Sequence, residues 1–341
     1  MKQLTQTQRT LLHLLGDGYC HNGNELGKAL NMTRSAIWKQ INQLIQLGIS
    51  ITRRPQQGYQ LLNPLQLLNE QHIKNALRTQ GFTSPFSLHI PTSIHSTNRY
   101  LKELPKSSIV DLCCAEQQTH GRGRFERHWH SPFGENIYCS SRWNLNCDLN
   151  MLSGLSLITS LAILATLHKL SPSPDIKVKW PNDILWGDKK LCGSLIEILA
   201  ESNGNAQVII GIGLNVNTDT RNHPLPDKPW CSLFEVSNQQ FNRNIIIAHL
   251  LIHLETYITQ FMIHGLSAFM NEWRTFDYLK GKQIAVTQSL STFLGTAFGI
   301  NQTGQLILKD EQGVMHYLSS GDTSIRSNAL PIQKDQALKL L

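Results

Sequence analysis

The stretch that decides the fold runs from Ile109 to Ser140 and reads IVDLCCAEQQTHGRGRFERHWHSPFGENIYCS. Residues 109–115 form a short apolar run, long enough for one buried strand, and residues 136–140 begin another. Between them lies a loop of about twenty residues with three arginines. A loop of that length inside a compact domain is usually functional or disordered.

The loop contains the sequence Gly121-Arg-Gly-Arg-Phe-Glu-Arg127. Arginines among glycines are typical of a flexible segment that folds over an anion, because the guanidinium fork matches phosphate or carboxylate oxygens. A solvated basic loop has the same composition and is the alternative. The flanking Gln118 and the segments downstream favour anion binding.

Composition bounds the class of protein. With 341 residues, 40% of them hydrophobic and 16% charged, the chain has room for two or three globular domains. We expect no membrane partner, because Ser and Thr interrupt the apolar run 155–167, and no signal peptide. Seven cysteines without metal-ligand spacing predict buried free thiols, a cytoplasmic protein and no metal site formed by them.

The net charge of +7 is concentrated at the front of the chain. Residues 1–62 hold seven Lys and Arg against Asp17 and Glu25, a net charge of +5. The remaining 279 residues carry +2. A basic front module on a nearly neutral body indicates an anionic partner for the front end.

The front module has the pattern of a winged helix-turn-helix. Thr5 and Asn22 begin capping boxes, Thr33 caps a third helix, and two short strands around an Arg-Arg-Pro turn follow. A packing module with incidental basic residues is the alternative, but charge, caps and wing together favour DNA binding. The predicted DNA contacts are Arg34, Ser35, Trp38, Lys39, Asn42, Arg53 and Arg54.

The body begins after a predicted connecting helix at 65–80. The segment 95–98, His-Ser-Thr-Asn, reads as a strand end feeding a helix. Its short polar side chains serve either as N-caps or as hydrogen-bonding groups for a ureido or amide ligand. Residues 152–170 predict a buried helix.

Three strands within residues 176–217 are joined by short turns, which predicts an antiparallel meander rather than a Rossmann fold. No Gly-x-Gly element in this segment precedes a helix, so a dinucleotide site is not expected. Residues 243–265 predict a long helix. Several short strands after residue 280 predict a small β-barrel.

In this order the segments resemble the bifunctional biotin–protein ligase and biotin repressor family of the BirA type. The motifs that carry the resemblance, besides the winged helix, are Ser96-Thr-Asn98, Gly121-Arg-Gly-Arg124, Lys179-Trp-Pro-Asn-Asp183, Lys190-Leu-Cys-Gly193 and Gly211-Ile-Gly-Leu-Asn-Val216. The resemblance implies an α+β protein. Its parts would be a winged helix-turn-helix at 1–63, a class II synthetase-like ligase domain with a mixed or antiparallel sheet at 64–275, an SH3-like barrel at 276–329 and a tail at 330–341.

The resemblance also implies the activity. Members activate biotin with ATP and Mg²⁺ as biotinyl-5′-AMP and transfer biotin to a lysine of the biotin carboxyl carrier protein of acetyl-CoA carboxylase. The adenylate-bound form is a homodimer that binds the biotin operator and represses biotin synthesis. Three alternatives remain: a ligase without repressor activity, a ligand-sensing transcription factor without catalysis, and a lipoate-type ligase.

Site residues follow from the same resemblance. The biotin contacts it implies are Ser96, Thr97, Asn98, Gln118, Arg122, Gly123, Arg124 and Lys190. The ATP or adenylate contacts it implies are Arg124, Arg127, Asn182, Gly193, Asn215, Trp230 and Arg326. Arg124 and Lys190 are expected to neutralise charge in catalysis. Asp183 either orients or deprotonates the acceptor lysine, or it is an aspartate in a structural turn.

Two residues depart from the family's usual loop, Gly-Arg-Gly-Arg-Arg-Gly-Arg: Phe125 and Glu126 replace Arg and Gly. Glu126 adds a negative charge beside a phosphate site. It is expected either to weaken adenylate retention or to pair with Arg124 or Arg127 when the loop is open. Adenylation should survive because Arg124 and Arg127 remain, whereas dimerisation, and with it repression, depends on the order of the loop. His128 and His130 flank Trp129 without a third metal ligand and are expected at the surface or beside ATP.

Overall fold

The computed structural model describes residues 3–63, 65–147, 149–171, 173–202, 205–222, 229–288, 291–321 and 323–327. The N-terminal part folds as three helices and a two-stranded antiparallel wing. The elements are α1 (Gln6–Leu15), α2 (Gly23–Leu30), α3 (Arg34–Gln46), β1 (Ile51–Arg54) and β2 (Gly58–Leu61). Thr5, Asn22 and Thr33 cap the three helices through their side-chain oxygens, which confirms the predicted caps.

The connecting helix is shorter than predicted. Helix α4 covers Glu70–Thr79. Its N-cap is Asn69, whose side chain accepts a hydrogen bond from the His72 amide at 2.9 Å. Residues 65–69 are not helical. Groups of the central domain hydrogen-bond the backbone of residues 66–69, and these tertiary bonds replace those of a helix.

The central domain is built on nine strands. They are β3 (Phe86–His89), β4 (Ser93–Ile94), β5 (Val110–Ala115), β6 (Gln117–Gln118), β7 (Ile137–Asn146), β8 (Ile176–Lys179), β9 (Asp183–Trp186), β10 (Lys189–Ser202) and β11 (Asn205–Leu214). Seven form one sheet in the order β3-β5-β7-β11-β10-β9-β8, in which β3 and β5 are parallel and the other pairs antiparallel. The short strands β4 and β6 pair in parallel beside it. The predicted mixed sheet and the antiparallel meander are confirmed, but the meander has four strands rather than three, because a turn at 180–182 divides the first predicted strand into β8 and β9.

The helices of this domain are α5 (Thr97–Glu103), α6 (Leu155–Leu170), α7 (Leu233–Ser237), α8 (Arg243–His264) and α9 (Met270–Phe276). Helices α6 and α8 pack against each other and supply much of the hydrophobic core. The segment Leu152–Leu170 and α8 are long and apolar enough to span a membrane, so the serines and threonines in the run 155–167 do not by themselves exclude a span. Their most apolar windows are 72% and 50% buried inside the protein, as in core helices.

The C-terminal strands form one antiparallel sheet in the order β15-β14-β13-β12-β16. They are β12 (Gln283–Gln288), β13 (Ser291–Ile300), β14 (Leu306–Lys309), β15 (Met315–Leu318) and β16 (Thr323–Ser327). The predicted cluster of short strands is confirmed, while its closure into an SH3-like barrel stays a prediction. All seven cysteines are free, and six are buried.

Candidate functional site

A cavity of about 640 Å³ opens between the arginine loop, strands β10 and β11, and strand β16. The structure brings together in its walls nearly all the residues that were expected to contact ligands. These are Ser96, Thr97, Asn98, Gln118, Arg122, Gly123, Arg124, Arg127, Asn182, Asp183, Lys190, Gly193, Asn215 and Trp230. The backbone of Arg326 pairs with Ala285 in the C-terminal sheet, and its side chain lies outside the described part of the structure.

Short polar side chains form part of the cavity wall. The Thr97 amide and hydroxyl donate to Gln118 Oε1 at 2.9 and 3.1 Å. Ser140 Oγ lies 2.6 Å from both Thr97 Oγ1 and Asn98 Oδ1, and Asn98 Nδ2 donates to Glu197 at 2.8 Å. These groups are mostly buried and hold one another in fixed orientations.

Ser96 occupies the N-cap position of α5, yet its side chain makes no capping hydrogen bond. Helix capping therefore does not explain a serine at this position. Its hydroxyl belongs to a residue that is 6% exposed and lines the cavity.

Two glycines of β11 make room for this arrangement. A Cβ on Gly211 would lie 2.1 Å from Asn98 Oδ1, and a Cβ on Gly213 would lie 2.4 Å from the indole of Trp129. Any larger residue would displace the contacting side chain. The Gly-x-Gly pattern of β11 thus serves close packing beside the cavity.

The arginine loop is a short hairpin rather than an open loop. The Trp129 amide donates to the Gly121 carbonyl at 2.8 Å, and the Gly123 amide donates to the Arg127 carbonyl at 2.7 Å. A 3-10 turn over Arg124–Glu126 forms the tip. Phe125 and Glu126 have φ angles of 56° and 54°, a region that residues with a Cβ seldom adopt.

Arg124 joins the hairpin to two other parts of the chain. One of its terminal nitrogens donates to Asn182 Oδ1 at 3.4 Å. The other donates to the carbonyl oxygens of Ser320 and Gly321, in the turn before β16. The C-terminal sheet therefore takes part in closing the cavity.

Lys190 supplies a second cation to the cavity. Its Nζ lies 2.6 Å from Asp183 Oδ1 and 5.3 Å from the centroid of the Trp129 ring. A Cβ on Gly193 would lie 3.0 Å from Nζ, so a glycine there leaves room for the lysine. The predicted catalytic pair Lys190 and Asp183 is in direct contact, and Asp183 is the single carboxylate among the described residues that line the cavity.

The side-chain amides of Asn182 and Asn215 donate hydrogen bonds to backbone carbonyl oxygens. Asn182 Nδ2 donates to the Ser194 carbonyl at 2.6 Å. Asn215 Nδ2 donates to the Cys231 carbonyl at 3.1 Å and holds the segment with Trp230 beside β10. Both residues thus shape the cavity walls.

The predicted DNA contacts lie together on the winged helix. Arg34, Ser35, Trp38 and Lys39 are exposed on α3, and Asn42 follows on the same helix. Arg53 of the wing donates to Asn42 Oδ1 and lies 5.8 Å from the Trp38 ring centroid, so the wing and α3 form one surface. Arg54 is exposed at the end of β1.

Sequence reasoning missed four residues around the cavity: Ser140, Glu197, Gly211 and Gly213. The Gly-x-Gly spacing was a visible signal for the glycines, but only the fold shows what each accommodates. Nothing local distinguishes Ser140 or Glu197 from other strand residues. In the described ranges no group of three His, Cys, Asp or Glu side chains is placed to hold a metal ion, and His128 and His130 line the cavity mouth.

Comparisons with known proteins agree with this geometry. The Biotin/lipoate A/B protein ligase family matches residues 90–215, and a helix-turn-helix (HTH) domain family matches residues 7–60. A solved structure of the biotin protein ligase from Aquifex aeolicus with biotin and ATP superposes with a TM-score of 0.61 at 26% identity. It covers 71% of this chain and 99% of that one.

Two curated relatives match nearly the whole chain. The bifunctional ligase/repressor BirA of Salmonella typhimurium is 33% identical over 95% of this chain and 98% of that protein. The BirA of Escherichia coli K12 is 33% identical over 93% and 96%. The chain therefore belongs to the family of BirA-type bifunctional ligase/repressors, with an N-terminal helix-turn-helix domain and a biotin ligase domain.

Proposed function

We propose that the protein activates biotin with ATP as biotinyl-5′-AMP and then biotinylates a lysine of the biotin carboxyl carrier protein of acetyl-CoA carboxylase. One observation carries the proposal: a single cavity is lined both by buried hydroxyl and amide groups and by the cations Arg124 and Lys190. That combination suits a ligand with a neutral ureido head and an anionic acyl phosphate tail. The proposed domain bounds are 1–63, 64–275 and 276–329, with a tail at 330–341, and the proposed location is the cytoplasm.

In this proposal the biotin head binds among Ser96, Thr97, Asn98 and Gln118, with Arg122 and Gly123 covering it. Gln118 and Asn98 already exchange hydrogen bonds with neighbouring polar groups, which fixes their orientation before the ligand arrives. The nucleotide half would lie near Arg127, Asn182, Gly193, Asn215, Trp230 and Arg326.

The first step joins two anions. The biotin carboxylate attacks the α-phosphorus of ATP and diphosphate leaves, so positive charge and alignment supply most of the catalysis. Arg124, Arg127 and Lys190 supply charge from the protein. Mg²⁺ commonly keeps several waters and binds substrate phosphates, so it would enter the cavity together with ATP. When bound, Mg²⁺ would neutralise the phosphate oxygens.

In the second step the acceptor lysine amine attacks the acyl carbon of biotinyl-AMP, and AMP leaves. Asp183 lies 2.6 Å from Lys190, so its carboxylate can orient both amines or take the proton that the acceptor releases. The hairpin closes over a mixed anhydride that water would otherwise hydrolyse.

The decisive experiment incubates the protein with biotin, Mg-ATP and a carrier-domain protein. We expect one biotin on the carrier lysine, detected by mass spectrometry, and release of AMP. A parallel incubation with lipoate should give no product. A carrier modified by lipoate and not by biotin would favour the lipoate-type alternative. If neither compound gives a product, both the biotin ligase and the lipoate-type ligase hypotheses are wrong.

We further propose that the adenylate-bound protein forms a homodimer that binds the biotin operator through α3 and the wing. Arg34→Ala and Lys39→Ala should each weaken operator binding and lower the salt slope by about one where the side chain contacts a phosphate. Ligation should stay at the wild-type rate.

Arg78→Ala, at an exposed position on α4, is the matched control for the two DNA-binding variants. Operator affinity and its salt dependence can be measured by fluorescence anisotropy with biotinyl-5′-AMP present. If the wild-type protein has no affinity for the operator, the protein is a ligase without repressor activity whose N-terminal domain does not bind DNA.

A further inference from the structure

Phe125 is exposed at the tip of the arginine hairpin. Its side chain is 47% exposed, and its backbone has φ 56° and ψ 41°. The left-handed region is unfavourable for a residue with a Cβ, and a half-exposed ring gains little from burial. Some other interaction must favour a phenylalanine at this position.

Two guanidinium groups contact the Phe125 ring. The Cζ atoms of Arg124 and Arg127 lie 5.0 and 5.7 Å from the ring centroid. Both distances are within the range of about 6 Å over which a cation is attracted to an aromatic face. The negative face of the ring attracts both guanidinium groups and so offsets part of the repulsion between two like charges.

The ring also belongs to the wall of the cavity. Arg124, Phe125 and Arg127 all line the cavity, on the side where residues 323–325 of β16 complete the wall. In the proposed function Arg124 and Arg127 serve the nucleotide half, whereas Asn98 and Gln118 serve the biotin head.

We propose that Phe125 is a positioning residue for the nucleotide: its ring holds Arg124 and Arg127 together at the cavity mouth before ATP binds. The inference rests on the proposed function. It adds a role for Phe125, which stands where the family's usual loop has arginine. In this chain the aromatic ring attracts the guanidinium groups of Arg124 and Arg127, whereas an arginine at the same position would repel them.

If Phe125 has this role, its loss should change the KM for ATP but not the KM for biotin. Without the ring, Arg124 keeps its hydrogen bonds to Asn182 and to the 320–321 carbonyls, but Arg127 must be ordered by ATP itself, which costs side-chain entropy. In Phe125→Leu we expect the KM for ATP to rise and the half-life of bound biotinyl-5′-AMP to fall, each by roughly three- to tenfold. The KM for biotin should stay unchanged. Phe125→Tyr keeps an aromatic face and should restore wild-type values.

Phe298→Leu is the matched control. Phe298 is 50% exposed on β13, and Lys309 Nζ lies 5.8 Å from its ring centroid, so it is another exposed ring with a cation, but it does not line the cavity. This variant should match the wild type in both KM values and in adenylate half-life.

Three outcomes would overturn the inference: an unchanged KM for ATP in Phe125→Leu, an equal rise in the KM for biotin, or a Phe125→Tyr variant as defective as Phe125→Leu. The third would mean that the phenyl group stabilises the turn by its fit and not by its aromatic face. A wild-type protein that forms no biotinyl-5′-AMP would instead overturn the proposed function, which separates the two failures.

Discussion

Replacing Lys190 by methionine is expected to lower the rate of biotinyl-5′-AMP formation by about a hundredfold or more. Methionine keeps an unbranched side chain but removes the ammonium group, which lies 2.6 Å from Asp183 and faces the cavity. The transition state brings carboxylate and phosphate oxygens together, so the loss of a preorganised cation raises its free energy more than that of the bound substrates. Single-turnover kinetics with radiolabelled ATP would measure the rate.

The neighbouring lysine provides the control. Lys189 Nζ lies 5.9 Å from the centroid of the Trp186 ring, and adjacent residues of a strand point to opposite faces. Lys189→Met should therefore form the adenylate at the wild-type rate. A Lys190→Met variant that is equally fast would show that the cavity does not hold the reacting acyl phosphate.

Replacing Arg243 by methionine is expected to destabilise the protein by about 3–5 kcal/mol. Arg243 is 1% exposed and donates to Glu116 Oε2 at 2.7 Å, to the Gln66 carbonyl at 2.7 Å and to the Asn136 carbonyl at 3.1 Å. The variant would leave the Glu116 carboxylate buried without its cation. Because Gln66 lies in the connection from the winged helix, the loss should also loosen the junction between the domains.

Urea unfolding followed by circular dichroism would measure this change in the free energy of unfolding. Arg99→Met is the control, because the Arg99–Glu103 pair on α5 is exposed and such pairs contribute about 0.5 kcal/mol or less. Adding Glu116→Gln to Arg243→Met removes the uncompensated charge and should recover part of the lost stability. An unfolding free energy of Arg243→Met within 1 kcal/mol of wild type would contradict the buried-pair argument.

Local signals predicted the winged helix closely. A cap such as Thr5 or Asn22 acts on amides two or three residues away, so its effect can be read directly from the sequence. The short turns between the strands of the segment β8–β11 are also local, so their antiparallel arrangement can be read from the sequence as well. The helix predicted from residue 65 failed because residues 66–69 hydrogen-bond to partners more than 40 positions away.

The sequence by itself determined the order of the domains, the types of their elements and, through the ordered motifs, which side chains belong to one site. Tertiary structure alone decided how those side chains meet: Gln118 accepts from Thr97, Lys190 pairs with Asp183, and Arg124 reaches carbonyls almost 200 residues away. Capping and periodicity act over a few residues, whereas the cavity depends on strand packing across the whole domain. The same distinction explains Gly211 and Gly213, whose importance becomes visible only when the side chains of Asn98 and Trp129 lie against them.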